Sequence, residues 1–312
     1  MERTHPMRLL AGLATLVASA TPANSAIFHQ DDRQYVSSGQ GSPYSPIGVV
    51  TRGVLIYSFA TGFLVDDCHV LTSQVILGYG SSPLGKRVSF QTAPRTQQST
   101  LTKGTVVAAG GIVRNRTAEK QYQRGGHNWM LVRLDRCLGA RLGHVTLKTG
   151  PFSPYEFGGL KSAGYPEHRR RSNGLTVDPS CRITGSRGTV WTNDCATVKG
   201  DAGDPIFRVA TSSGKPQLEV YAMQSAGFTP AKAIPLIAGY ENQAVPMALI
   251  AKQIEPYLSL TKQSGGDGVA APLAGNALPQ IGGSPDGALD GVVLGSGLAA
   301  SNDRPNSESR AD

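Results

Sequence analysis

A chain of 312 residues can hold one large β domain or two small ones, so a substantial buried core is within reach. With 38 Gly, 20 Pro and a 39% apolar fraction, the composition suits many short strands joined by tight turns and argues against a helical bundle. The net charge of +8 is uneven: residues 260–312 carry three basic and six acidic side chains and residues 1–26 contribute about +1, which leaves the body between them near +10 and attractive to anionic partners.

The chain begins MERTHPMRLLAGLATLVASATPANSA, with Arg3 and Arg8 ahead of an apolar run from Leu9 to Val17 and then small residues that suit a signal peptidase. Residues 1–26 are therefore expected to be a signal peptide, cut after Ala20 or Ala26. About a dozen apolar residues fall short of the ~20 needed to cross a bilayer, so no membrane span is expected once the segment is removed. The mature protein is expected to be periplasmic or secreted.

From Ile47 to Leu258, short apolar runs alternate with turn signals. GVLIYSFATGFLV, HVLTSQVIL, GTVVAAGGIV, WMLVRL, LTV, PIFRVA, LEVYAM and QAVPMALI all have strand length. One stretch, VPMALIAKQIEPYLSL, departs from this pattern: Met247, Ile250, Ile254 and Leu258 recur at helical spacing and predict an amphipathic helix packed on the body. Residues 27–260 are thus read as an all-β domain closed by a C-terminal helix. Residues 261–312 are rich in Gly, Ala, Pro and Ser and contain no aromatic side chain. Such a segment cannot bury enough surface to offset its ordering entropy, and a disordered tail is expected.

The sharpest basic run, HRRRS at residues 168–172, is expected on an exposed loop. It lacks the interleaved aromatics that stack bases, so nucleic acid is not an expected partner. An anionic envelope polymer contacting Arg169 to Arg171 remains an alternative. Cys68, Cys137, Cys181 and Cys195 form an even set in an exported chain and are expected to make two disulfides. No Cys-x-x-Cys pair or clustered Cys/His spacing supports zinc, and neither metal nor cofactor is expected.

Three segments in order carry a resemblance. TGFLVDDCHVLTSQVIL resembles the part of chymotrypsin-like serine peptidases where an apolar VLT leads, three residues after its threonine, to the catalytic histidine; that position is Val75. GGHNWMLVRLD resembles the segment holding the catalytic aspartate, and the matching residue is Asn128. CATVKGDAGDPIF resembles the nucleophile loop, with Ala202 where the serine stands. The separations of 53 and 74 residues suit a compact bacterial member. The stretches IFHQDDR, SAGYP and NQAVP add support, and IFHQDDR is similar to the opening of glutamyl-endopeptidase-like members. The resemblance covers Ile27 to Leu258. It implies a double β-barrel with a site in the cleft between barrels, disulfides Cys68–Cys137 and Cys181–Cys195, and EVYAMQSAGF along the former specificity pocket.

Nucleophilic catalysis of this kind needs a hydroxyl, an imidazole to take its proton and a carboxylate to orient the imidazole. Valine accepts no proton, alanine has no oxygen and asparagine carries no charge, so a catalytically inactive homologue is expected. Loss of the whole triad costs about 10⁶ in rate, with ~10³–10⁴ over water left by binding and the oxyanion hole. The rival is an active hydrolase using a non-standard group: His69, six residues before Val75, His127 beside Asn128, or Thr197, the only hydroxyl between Cys195 and Phe207. The oxyanion loop Gly200, Asp201 and Ala202 remains, and the backbone N–H groups of Gly200 and Ala202 are expected to keep their capacity for a carbonyl or anion. Asp204 would place a carboxylate near the old cleft if it pointed that way. A peptide or protein ligand is the expected partner.

Overall fold

The computed structural model describes residues 31–53, 58–78, 82–111, 126–150, 159–167, 174–212, 214–226 and 242–263. The expected signal peptide, the HRRRS run and nearly all of the expected tail lie outside these residues.

Six strands close into a barrel: β2 (Ile47–Thr51), β3 (Phe59–Leu64), β4 (His69–Thr72), β5 (Arg87–Thr92), β6 (Thr100–Ala109) and β7 (Met130–Leu134), in the order β2-β3-β4-β7-β6-β5. Every residue of β3 and β4 is buried, including the polar Thr61, His69 and Thr72 among otherwise apolar or small residues. β5 alternates instead, with Val88, Phe90 and Thr92 turned inward, and RVSFQT is a strand that the apolar runs alone did not flag.

A nine-stranded sheet follows. It contains β1 (Gln34–Val36), β8 (Thr146–Leu147), β9 (Lys161–Gly164), β10 (Leu175–Asp178), β11 (Ile183–Arg187), β12 (Val190–Asn193), β13 (Pro205–Ser212), β14 (Lys215–Ala226) and β15 (Asn242–Pro246). Its order is β1-β10-β9-β13-β14-β15-β12-β11, and β8 runs parallel to β14. A short helix α1 (Gly139–Leu142) follows the first barrel, and α2 (Met247–Gln263) ends the described chain.

The expected all-β architecture with a C-terminal helix is therefore present. Met247, Ile250 and Ile254 of α2 are fully buried, and Leu258 packs on the same cluster. That cluster also takes Ile47, Phe63, Trp129, Tyr165, Phe207, Val220 and Met223, so barrel, sheet and helix share one core. Among the described residues no helix is long and apolar enough to cross a membrane.

Two runs change structure part-way. HVLTSQVIL is a strand only to Thr72; residues Gln74–Leu77 form a 3-10 turn capped by Ser73, whose Oγ accepts the Val75 N–H at 3.3 Å. A serine cap satisfies a donor that a strand would have paired with its neighbour, so the chain turns there. QAVPMALI likewise splits at Pro246, after which the helix begins.

Both expected disulfides are formed, Cys68–Cys137 and Cys181–Cys195, each with Cα atoms 4.2 Å apart. The first joins the entry of β4 to the chain beyond β7, and the second ties the start of β11 to the segment leading into the 198–204 loop.

Candidate functional site

The segments that bear Val75, Asn128 and Ala202 meet around Ser73. Ser73 is completely buried; its Oγ donates to Asn128 Oδ1 at 3.0 Å or to the Ser225 carbonyl at 3.3 Å. Asn128 Nδ2 in turn donates to the Ser225 carbonyl at 2.6 Å and reaches Ser225 Oγ at 3.2 Å. Gln74 Nε2 fastens the same two segments by donating to the His127 carbonyl at 2.6 Å. The network Ser73–Asn128–Ser225 contains no ionisable group.

Val75 takes no side-chain part in this network. Its side chain is half-buried and packs on the first barrel's core with Ile76 and Leu77. An apolar group in the first half of the 3-10 turn is stabilised by that burial, and it supplies no base to take a proton.

The loop holding Ala202 is fixed to β3 through Thr61. Thr61 N donates to the Ala202 carbonyl at 2.9 Å, and Thr61 Oγ1 to the Gly200 carbonyl at 3.1 Å. Gly203 N donates to the Gln224 carbonyl on β14 at 2.7 Å. Gly200 and Gly203 have φ of +108° and +93°, conformations that favour glycine. A Cβ on Gly203 would also lie 3.0 Å from Ser73 N and run into the Thr61 carbonyl. That close approach brings Ala202 beside the Ser73 turn.

Among the hydrogen bonds of the described residues, none uses the N–H of Gly200 or of Ala202. The Gly200 and Ala202 carbonyls are taken by Thr61, while these two N–H groups are left without a hydrogen bond among the described residues. Lys199, at the loop's outer edge, pairs on the surface with Glu167 at 2.8 Å.

Asp201 and Asp204 both turn away from this face. Asp201 accepts Val198 N at 2.9 Å and Arg33 Nη1 at 2.9 Å. Asp204 is buried against Gly164 of β9, so it does not repel ligands at the loop's outer face. Burial, reinforced by the neighbouring Asp201 charge, pushes Asp204 well above the usual carboxylate range.

The alternative catalytic groups are committed elsewhere. His69 is buried on β4 with Nδ1 2.8 Å from Asp66 Oδ2. Burial, the largest single effect, would raise Asp66, but the His69 hydrogen bond and charge together with the N–H groups of Cys68 and His69 outweigh it and hold the carboxyl below its ordinary value. His127 is exposed and its Nδ1 meets the Gly110 carbonyl at 2.5 Å. Thr197 Oγ1 donates to the Cys195 carbonyl at 3.1 Å. Among the described residues no imidazole is hydrogen-bonded to a Ser or Thr hydroxyl, the contact a nucleophile needs.

Ser73, Ser225, Arg33 and Gln224 were not singled out by sequence. The signal for Ser73 was a polar pair, Ser73 and Gln74, inside an apolar run; for Arg33 no local pattern announces burial.

Comparison with solved structures places this architecture. A Glu endopeptidase solved in complex with MPD superposes with a TM-score of 0.53 at 16% identity, covering 75% of this chain and 99% of that one. The protease Anisep from Arthrobacter nicotinovorans gives a TM-score of 0.49 at 15% identity, covering 70% and 99%. A scabies mite inactivated protease paralogue, S-D1, gives 0.48 at 14%, covering 72% and 97%. The fold is thus that of the chymotrypsin-like serine proteases. No protein-family model matches the chain, and no curated protein matches it in sequence.

Proposed function

We propose that this protein is an exported, catalytically silent member of the serine-peptidase fold that binds a peptide or protein through the face formed by Gly200, Ala202 and the Ser73 turn. The observation that carries this reading is the pairing of an intact loop with an absent catalyst. Gly200 and Ala202 keep free N–H groups, while Val75, Asn128 and Ala202 supply no base, carboxylate or nucleophile. Ser73 does not substitute, because it is buried and its hydroxyl is held by an amide and a carbonyl.

Two disulfides and the N-terminal apolar segment support an oxidising, extracytoplasmic setting. A formal charge near +10 on residues 27–259 favours acidic peptides over basic ones through long-range attraction. A carbonyl or carboxylate of the ligand would sit against these two N–H groups, which have no hydrogen-bond partner among the described residues.

The test is a peptide array probed with the purified chain and with Ala202→Phe, whose ring fills the space in front of the loop. Binding that Ala202→Phe abolishes, with every captured peptide recovered intact, is the expected result. Recovery of cleaved peptides, or binding that Ala202→Phe leaves unchanged, would overturn the reading.

A further inference from the structure

Beneath the 198–204 loop the protein buries more negative than positive charge. Arg33, just ahead of β1, is 7% exposed; its Nη1 donates to Asp201 Oδ2 at 2.9 Å and its Nε to Asp31 Oδ1 at 2.8 Å. Asp204, three residues beyond Asp201, shares this interior, and its N–H donates to the Asp201 carbonyl at 3.0 Å. Asp178 of β10 faces the same region, with its oxygens taken by the N–H groups of Ser180 and Ala196 at 3.0 and 2.6 Å. Asp201 Oδ1, Asp204 Oδ1 and both amide atoms of Gln224 have no hydrogen-bond partner there. Gln224 lies directly across from Asp204, its N–H donating to the Asp204 carbonyl at 2.8 Å.

We propose that Arg33, Asp201 and Asp204 form a one-proton latch: with Asp204 protonated the trio is neutral and pins residues 31–36 to the 198–204 loop, and rising pH loosens both together. The mechanical basis is that the other ties of this segment lie at the surface or the sheet edge: the exposed Asp32 accepts from Ser180 Oγ at 3.0 Å. β1 is a three-residue edge strand paired on one side only, with β10, and Tyr35 at its centre is exposed. The Arg33 guanidinium is therefore the anchor that reaches into the interior.

The titration has a definite sign. Burial raises both Asp201 and Asp204, Asp201 against the pull of Arg33 and Asp204 further because of the Asp201 charge, so beside the single Arg33 charge the two carboxyls share one proton that rests on Asp204. A carboxyl group raised on folding holds a proton that the unfolded chain releases near pH ~4, so its stabilisation is complete below that pH and is lost as pH rises towards the folded value. Asp31 accepts from Arg33, Asp178 is satisfied by backbone donors, and Arg33 keeps its charge throughout, so the one proton shared by the Asp201–Asp204 pair is what changes. Because the loop carries Gly200 and Ala202, the latch also sets the proposed binding face; that consequence rests on the reading above, whereas the latch itself does not.

Hydrogen–deuterium exchange on the full chain from pH 5 to 9, corrected for intrinsic exchange, tests it. Protection in residues 31–36 and 198–204 should fall together, by up to about tenfold per pH unit for one proton. Asp204→Asn should keep both segments protected across the range, and Arg33→Gln should expose both at every pH. Protection that is independent of pH in the unmodified chain, Asp204→Asn behaving like it, or the two segments opening with different pH dependence would overturn the proposal. Should Arg33→Gln fail to fold, Asp204→Asn decides the matter alone.

Discussion

Asn128 donates its amide Nδ2 to the carbonyl oxygen of Ser225 at 2.6 Å while accepting from Ser73 Oγ at 3.0 Å, so the side chain is used as both donor and acceptor. A carboxylate can do only the second. The hydrogen bonds of this site are thus arranged for an amide.

Asn128→Asp therefore sets a carboxylate oxygen against the Ser225 carbonyl in a buried place. The expected cost is ~1–3 kcal/mol at neutral pH. The new group's folded pKa would be raised, so the deficit should vanish below pH ~4 and grow as pH rises above it. Urea denaturation at pH 4 and pH 7 checks this, and equal stabilities at both pH values would contradict the arrangement.

Gly203→Ala probes the approach of the loop to the Ser73 turn. With φ at +93° and a Cβ directed at the Thr61 carbonyl, the substitution should cost at least ~2 kcal/mol. Gly143→Ala, also at positive φ but with open space around its Cβ, should cost less. Thermal melting of the pair measures the difference, which isolates the clash from backbone strain alone.

Removing each disulfide should cost stability in order of loop length. In the chain-entropy estimate, the 14-residue separation of Cys181–Cys195 contributes ~3 kcal/mol and the 69-residue separation of Cys68–Cys137 ~4 kcal/mol. Paired Cys→Ala variants, followed by denaturant unfolding, give both values. The shorter link closes the segment before the 198–204 loop, so its loss should also increase exchange in that loop.

Much of the fold could be read from the chain because it rests on short-range pattern. The buried runs of β3 and β4 and the 3.6-residue recurrence of Met247, Ile250 and Ile254 each state their own burial. The positions Val75, Asn128 and Ala202 were found through ordered motifs. What they touch was not, since Ser73 meets Ser225 across 152 residues and Arg33 meets Asp201 across 168. No periodicity encodes such pairs. Asp204 shows the same limit: the resemblance of its loop put a carboxylate near the cleft, but its burial against Gly164 of β9 turns it inward.

The central claim is that the frame binds without turnover. Its most direct measurement is incubation of the purified chain with a diverse peptide library and a serine-directed phosphonate, read by mass spectrometry of both peptides and protein. The account predicts intact peptides and no phosphonate adduct. Peptide fragments whose release the phosphonate blocks, together with an adduct on any serine, would contradict it.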